Sequence, residues 1–108
     1  MPISIKSLSD GQLANAKATI YTCPALTTSI VRLISFVNTG AGARTVNLYL
    51  KPSGGTSRRL IPVAMSMAAG NSMEYTNVLT LEAADVIEGD ASVTAEVDYV
   101  IEGVERTA

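Results

Sequence analysis

The alternation of apolar and polar residues is most regular in residues 29–52. Residues 30–37 are apolar at positions that would face both sides of a strand, which is typical of a strand covered on both sides. Residues 45–51 alternate strictly, which is typical of a half-buried strand. A segment with two glycines, residues 38–43, lies between them. The pattern therefore predicts a long β-hairpin whose tip is at residues 38–43.

Shorter runs of β-branched, aromatic and alternating residues lie on both sides of this hairpin. We assign further strands to residues 18–22, 58–61, 72–76, 79–81, 84–90 and 93–104, and extended chain to residues 63–69. Pro24 and Pro62 end two of the strands because proline donates no backbone hydrogen bond. Gly54 and Gly55 form the tip of a tight turn. These segments predict an all-β fold, an antiparallel β-sandwich of about seven to eight strands that is either jelly-roll-like or Ig-like.

The beginning of the chain leaves two interpretations open. Apolar residues alternate with polar ones as far as Leu8, as in an edge strand, and Asp10 with Gly11 is a turn signal. The same segment also suits an arm that docks on a neighbouring subunit. We therefore divide the chain into an N-terminal arm or edge strand at residues 1–16 and a single β-sandwich domain at residues 17–108.

Composition narrows the possible functions. The chain has 108 residues, 47% of them apolar, which suffices for one hydrophobic core. Only 17% of the residues are charged, below the usual ~25%, and such a surface suits contact with other subunits. A net charge of −2 argues against general affinity for nucleic acid, which needs Lys and Arg to neutralise phosphates.

The compartment is also constrained by the sequence. No apolar run reaches the ~20 residues of a membrane-spanning helix, so we expect no membrane partner. Residues 1–6 lack the pattern of a signal peptide, in which basic residues precede an apolar core. Cys23 is the single cysteine and cannot form an internal disulfide. These observations predict synthesis in a cytoplasm.

Charge is unevenly distributed along the chain. Seven of the eight basic residues precede position 60, and eight of the ten acidic residues follow position 81. The basic group is Lys6, Lys17, Arg32, Arg44, Lys51, Arg58 and Arg59, and the acidic group is Glu82, Asp85, Glu88, Asp90, Glu96, Asp98, Glu102 and Glu105. We favour cross-strand pairing of the two groups within one molecule, which is mildly stabilising. The alternative is a basic edge of one subunit that faces an acidic edge of the next and sets the register of a ring.

Catalysis is difficult to build from these residues. The chain contains no histidine, and Cys23 therefore has no imidazole to activate it and is expected to fill a gap in the core. Asp85, Glu88 and Asp90 lack the dense spacing of a calcium loop and are interpreted as part of a turn. Residues 53–57 lack the lysine and the helix of a phosphate-binding loop. We predict no catalytic residue, no metal site and no cofactor.

Two surface features have both a binding and a structural interpretation. Arg58 and Arg59 could contact a phosphate or a carboxylate, but adjacent strand residues point to opposite faces, and a solvated pair is favoured. Carbohydrate recognition is the natural alternative function for a small β-sandwich, and it usually relies on exposed aromatic faces. The chain has no Trp, and of its tyrosines only Tyr49 is expected to face outward. A carbohydrate-binding module for a receptor or glycan is therefore the second candidate.

Five motifs follow one another along the chain. They are Ile20-Tyr21-Thr22-Cys23-Pro24-Ala25, residues 30–39 ending in Asn38-Thr39, residues 46–50, Pro52-Ser53-Gly54-Gly55-Thr56, and residues 79–87. In this order they resemble small virion structural proteins of tailed bacteriophages, and the resemblance covers residues 18–104. Two positions depart from that pattern, because Leu26 stands where a glycine often follows Pro-Ala, and Ala84 replaces the glycine before Asp85.

The resemblance implies a non-enzymatic β-sandwich subunit on the head, tail or fibres of a virion. By this analogy we expect a homo-oligomer, with a trimer preferred, whose partners are its own copies and other virion proteins. The N-terminal arm and the basic and acidic edges would supply the contacts. The protein would be synthesised in the cytoplasm of a bacterial host and located in the virion, as a head decoration, tail or fibre component.

Overall fold

Short antiparallel strands make up most of the structure, a computed structural model that describes residues 3–107. The strands are β1 (Ile3–Gln12), β2 (Ala18–Thr22), β3 (Thr27–Asn38), β4 (Arg44–Lys51), β5 (Arg58–Arg59), β6 (Met65–Met67), β7 (Ser72–Tyr75), β8 (Leu79–Leu81), β9 (Val86–Ala91) and β10 (Val97–Thr107). All of their pairings are antiparallel. Residues 3–107 include no helix, and the predicted all-β sandwich is confirmed.

The strands form two sheets with a nested order of pairing. Sheet A has the order β1-β10-β3, and β7 and β8 both pair with the remaining edge of β3. Sheet B has the order β2-β9-β4, and β5 and β6 both pair with the remaining edge of β4. The first strand thus pairs with the last, the second with the last but one, and so on inward to the hairpin at β4 and β5. This wrapped hairpin is the topology of a jelly roll, so the first of the two predicted sandwich types applies.

The number of strands differs from the prediction. The described residues form ten strands where about seven to eight were expected. The difference arises because one edge of each sheet is interrupted: Pro62 lies between β5 and β6, and Asn77 lies between β7 and β8. When each interrupted edge is taken as one position, the sandwich has eight strand positions.

The hydrophobic core lies between the two inner faces. Its buried apolar residues are Leu13, Ile20, Tyr21, Cys23, Val31, Ile34, Phe36, Val46, Leu48, Met67, Leu81, Ile87, Ala91, Val97, Tyr99 and Ile101. In β4, β9 and β10 they occupy alternate positions, as expected for strands with one buried face, and in β3 the alternation shifts by one residue at Arg32. Burial of each large side chain contributes about 1.5–3 kcal/mol, so this layer is the main source of stability.

The predicted hairpin of residues 29–52 is wrong. β3 lies in sheet A and β4 in sheet B, so the segment between them crosses from one sheet to the other. The buried Asn38 fixes this crossing, because its amide donates to the carbonyl oxygens of Gly42 at 2.9 Å and Met67 at 3.1 Å and accepts from the Gly40 amide at 2.9 Å. Both edges of β3 are already paired within sheet A, which leaves no place there for β4.

The expectation that β3 is covered on both faces is also wrong. Its inward face is buried, but Ile30 and Val37 on the other face are exposed. Sheet B covers only the inner side of sheet A. The outer face of sheet A therefore carries apolar side chains in contact with solvent.

Three local predictions need correction. Asp10 and Gly11 continue β1 and do not form a turn. The last strand begins at Val97, because residues 93–96 form a turn in which Ala95 has a φ of 64°. The strand assigned to residues 84–90 begins at Val86 and ends at Ala91, so Gly89 lies inside it, where a side chain would crowd Leu13 and the backbone of β4. The extended chain predicted for residues 63–69 contains β6, as expected.

Candidate functional site

The single cysteine lies at the end of a chain of hydrogen-bonded side chains. Cys23 Sγ is 3.2 Å from the hydroxyl of Ser29, which is 2.6 Å from the hydroxyl of Tyr21. The Tyr21 hydroxyl donates to Glu105 Oε2 at 2.6 Å, and Lys6 Nζ lies 3.0 Å from Glu105 Oε1 at the surface. Lys6, Tyr21, Ser29 and Glu105 belong to β1, β2, β3 and β10, and Cys23 directly follows β2, so this series of hydrogen bonds connects both sheets.

Burial and hydrogen bonding shift two pKa values in this chain. The pKa of the Tyr21 hydroxyl is raised, first by burial and then by its bond to Glu105. The pKa of Glu105 is lowered, mainly because the Tyr21 hydroxyl donates to the carboxylate, with a further contribution from Lys6. Cys23 is buried and sits among these polar groups without access to solvent. The arrangement satisfies buried polar atoms and presents no nucleophile to a substrate.

The three carboxylates that were considered as calcium ligands have separate structural roles. Asp85 accepts from the backbone amides of Ser53 at 2.8 Å and Glu82 at 2.9 Å, which joins two turns. Glu88 and Asp90 lie on the outer face of sheet B, where Glu88 accepts a hydrogen bond from Ser57. Within residues 3–107, no group of three or more histidine, cysteine or acidic residues could hold a metal ion.

A polar cluster surrounds Tyr49 on the outer face of sheet B. Asn47 donates to Asp90 Oδ1 at 2.7 Å, and the Tyr49 hydroxyl lies 3.4 Å from Asp90 Oδ2. Arg59 donates to Asn47 Oδ1 at 2.7 Å and to the Tyr49 hydroxyl at 3.2 Å. The pKa of Tyr49 is raised, first by burial and then by the charge of Asp90, which the charge of Arg59 opposes.

Two cations lie over the Tyr49 ring. Lys17 Nζ is 4.6 Å and Arg59 Cζ is 4.9 Å from the ring centroid. They approach from opposite sides along the sheet, since Lys17 precedes β2 and Arg59 belongs to β5. Cation–π contact of this kind is favourable, but it occupies the aromatic surface on which a sugar would stack.

Sequence reasoning found only part of this cluster. It placed Tyr49 on the outward face and expected Arg58 and Arg59 to point in opposite directions, but it took the two arginines as solvated. Both arginines are exposed, as expected, but Arg59 is also bonded within the cluster. The partners Lys17 and Asp90 come from other strands, so only the strand pairing could have identified them. Residues 53–57 form the tip between β4 and β5, as predicted.

A shallow groove crosses the outer face of sheet A. It has a volume of about 340 Å³ and is lined by Ile5, Lys6, Ser7, Arg32, Leu33, Glu102 and Gly103. The strands are irregular here, because Leu8 in β1 and Arg32 in β3 each interrupt the register with β10. The groove is open and mixes apolar with charged residues, so it suits contact with a protein surface better than enclosure of a small molecule.

Between residues 3 and 107 there is no helix long and apolar enough to cross a membrane.

The domain is thus a jelly roll in which the charged and polar groups described above bond to one another between strands and turns. No protein-family model matches the sequence, and no curated protein matches it. The fold is similar to that of a chain from the disulfide-linked pili of Bacillus endospore appendages, with a TM-score of 0.55 and 20% identity over 97% of this chain and 88% of that one. It is also similar to a chain from the acid-stable capsid of Helicobacter pylori bacteriophage KHP30, with a TM-score of 0.55 and 9% identity over 97% of this chain and 87% of that one.

Both similarities extend over nearly the full length of each chain, and at these identities they concern the fold. Both solved structures are of structural assemblies, one a pilus and the other a phage capsid. The similarity shows that this chain has the same two-layered β-sandwich fold as those two chains.

Proposed function

We propose that this protein is a non-enzymatic structural subunit of a tailed-bacteriophage virion, which associates with its own copies and attaches to the surface of the head or tail. The observation that carries the proposal is the jelly roll itself, which takes up nearly the whole chain and is similar over 97% of its length to a chain of a phage capsid. The order of motifs in residues 18–104 agrees with that assignment.

The placement of reactive residues supports a structural role. Cys23 is buried, Asp85 ties two turns together, and Asp90 is bonded to Asn47. A catalytic acid or base must reach the substrate and must have a pKa near the working pH. These groups are instead buried or bonded to other strands and turns. The proposal therefore assigns no enzymatic activity.

The finer parts of the proposal concern location and number of copies. The protein is synthesised in the cytoplasm of the bacterial host and becomes part of the virion, without nucleic-acid or membrane partners. Its weakly charged surface suits lateral contact with its own copies and with other virion proteins. The trimer expected by analogy stays a prediction, and light scattering of the intact chain tests it.

Attachment to particles is the direct test. Phage particles assembled without this chain should bind the purified protein until their sites are filled, as measured by co-sedimentation, and cryo-electron microscopy should place the added density on the head or tail. Particles that already carry the chain are the matched control and should bind none. Protein that stays in the supernatant with both kinds of particle would contradict the proposal.

Carbohydrate binding stays the alternative prediction. It relied on an outward-facing Tyr49, and the side chain does lie on the outer face of sheet B with Lys17 and Arg59 over its ring. A glycan array with the wild-type protein and Tyr49→Ala is its test. Saturable binding that is lost on this substitution would favour the alternative.

A further inference from the structure

The outer face of sheet A carries an apolar row that the chain does not cover. Ile5, Val104 and Ile30 are cross-strand neighbours on β1, β10 and β3 and form this row. Ile5 is 77% exposed, Ile30 is 40% exposed, and Val104 is half-buried. Ile3, one row closer to the end of β1, is 62% exposed. Contiguous apolar surface of this kind marks a contact site.

The outer face of sheet B has a different chemistry. Asn47, Tyr49, Arg59 and Asp90 bond to one another there and satisfy their own polar groups. Burial of that face in a contact would contribute little favourable free energy, because its polar groups would lose their contact with water. The apolar row therefore makes the outer face of sheet A the better candidate for docking.

Two opposite charges flank the row on its central strand. Glu102 and Arg106 lie on either side of Val104 in β10, on the same face, and both are exposed. Each is two residues from Val104, a distance of about 7 Å along the strand. A two-fold axis through Val104, parallel to the sheet and perpendicular to its strands, therefore brings Glu102 of one copy opposite Arg106 of the second copy, and the reverse pair forms at the same time.

The same axis matches the remaining surface. Ile5 faces Ile5 of the second copy, and Ile30 faces Ile30 of the second copy. The apolar row of one copy therefore packs against the apolar row of the other. Ile3 of the second copy lies opposite Ser7, which lines the groove of about 340 Å³ together with Leu33. The groove thus receives Ile3, which is 62% exposed in the single copy. An isologous contact requires this self-complementarity of shape and charge.

We propose that the outer face of sheet A binds a second copy of this chain across a two-fold axis at Val104, with Glu102 of each copy paired to Arg106 of the other. The inference rests on the self-association part of the proposed function and names the surface that carries it. It predicts a dimer where the analogy predicts a trimer, and the mass of the assembly in solution decides between them. Because the flanking pairs lie at the rim of the contact, added salt weakens it.

Charge exchange at the two flanking positions tests the contact. The intact chain, of 11.3 kDa, is studied by sedimentation equilibrium at micromolar concentrations, where we expect a dimer. Glu102→Arg places two arginines together, and Arg106→Glu places two glutamates together, so each should raise the dissociation constant about tenfold or more. The double variant with both exchanges restores opposite charges and should return the dissociation constant to within about threefold of wild type.

A matched control removes exposed apolar surface elsewhere. Val63→Asp changes an exposed valine between β5 and β6, at the edge of sheet B, and should leave the dimer unaffected, whereas Ile30→Asp should abolish it. Circular dichroism and thermal unfolding establish that each variant is folded. A double variant that stays dissociated while both single variants are folded would overturn the pairing of Glu102 with Arg106.

The other outcomes separate this inference from the proposed function. A wild-type chain that is monomeric at all concentrations overturns the two-fold contact, and binding to particles then decides the structural role independently. A trimer whose mass is unaffected by the charge exchanges also overturns the contact but leaves self-association in place.

Discussion

Four described residues other than glycine have the positive φ that favours glycine, and Leu26 and Ala84 are two of them. Leu26 has a φ of 57° and Ala84 a φ of 71°. These are the two positions that depart from glycine in the pattern this chain resembles, so the departure has a physical meaning. The turns themselves are kept, since the Ala84 amide donates to the Cys23 carbonyl at 2.9 Å. Leu26 is also 73% exposed, so little packing compensates for its strain.

The substitution Ala84→Gly should stabilise the protein. An L-residue at positive φ is strained by about 1–2 kcal/mol, while glycine loses about 0.5–1 kcal/mol through the greater freedom of the unfolded chain. We expect the free energy of unfolding to rise by up to about 1 kcal/mol, measured by urea titration. Ala18→Gly, at an exposed strand position, is the matched control and should lower it. A decrease for Ala84→Gly as large as for the control would contradict the argument.

The hydrogen-bonded chain at Tyr21 makes stability depend on pH at both ends of the range. The raised pKa of Tyr21 favours its protonated form in the folded state, so this stabilisation is present below about pH 10 and lost as the pH rises further. The lowered pKa of Glu105 favours its charged form, so that stabilisation is present above about pH 4.5 and lost as the pH falls.

The variant Tyr21→Phe removes the hydroxyl that both effects share. We expect it to lower the free energy of unfolding near pH 7 by about 1–3 kcal/mol, because Ser29 and Glu105 lose a buried partner. The loss of stability toward acid and alkaline pH should also become weaker than in the wild type. Urea titrations at neutral, acid and alkaline pH measure this. The control is Tyr75→Phe, because Tyr75 is half-buried and takes no part in the hydrogen bonds around Tyr21. The idea fails if Tyr21→Phe keeps the wild-type pH profile.

At the scale of strands, the contact between β3 and β10 depends on Gly103. The register of the two strands shifts between Glu102 and Gly103. A Cβ atom at Gly103 would collide with the carbonyl oxygen of Ile30, so the strands approach too closely there for any side chain.

Gly103→Ala should therefore be strongly destabilising. We expect a loss of about 2–3 kcal/mol, because the two longest strands must separate to admit the methyl group. Gly54→Ala is the matched control, since that glycine has a φ of 71° but open space around its Cβ position, and should lose only about 1 kcal/mol. Equal losses in thermal or urea unfolding would show that close approach is not the cause.

The N-terminal strand gives a test of the division at residues 16 and 17. β1 pairs with β10 from Ile3 to Gln12, and Leu13 directly after it is buried in the core. Removal of a buried leucine side chain alone typically costs about 2–5 kcal/mol. We expect a chain without residues 1–13 to unfold or aggregate, as judged by circular dichroism and light scattering, whereas Ile3→Ser should stay folded. A folded monomer would instead support an independent domain at residues 17–108 and a detachable arm.

For the whole molecule, the sequence located strands much better than it paired them. Residues 18–22 and 79–81 match β2 and β8, because alternation and turn residues are local properties. Pairing is not local: the glycine-containing segment 39–43 can close a hairpin or cross between sheets, and the buried amide of Asn38 decides between them only in the folded molecule. The prediction that β3 is covered on both faces was wrong for a related reason. Apolar residues on both faces of a strand do not show whether the second face is covered or exposed to solvent.

The nested pairing also predicts slow folding. The strands that pair are mostly far apart in the chain, with β1 joined to β10 and β2 to β9. Domains dominated by such distant pairings fold in roughly milliseconds to seconds, since long loops must close before contacts form. Stopped-flow refolding from urea should place the main phase in this range. A main phase faster than about 100 microseconds would contradict it.

Nesting has a further consequence on the ribosome. β1 is synthesised first, but its partner β10 is synthesised last, and at roughly 5–20 residues per second the first strand is left without its partner for about five seconds or more. During that time Ile3 and Ile5 are available to other nascent chains. We expect Ser4 and Ser7, together with Lys6 and Asp10, to act as gatekeepers against such association. Replacement of Ser4 and Ser7 by valine should therefore reduce the soluble yield of newly made protein more than it changes the stability of the finished molecule.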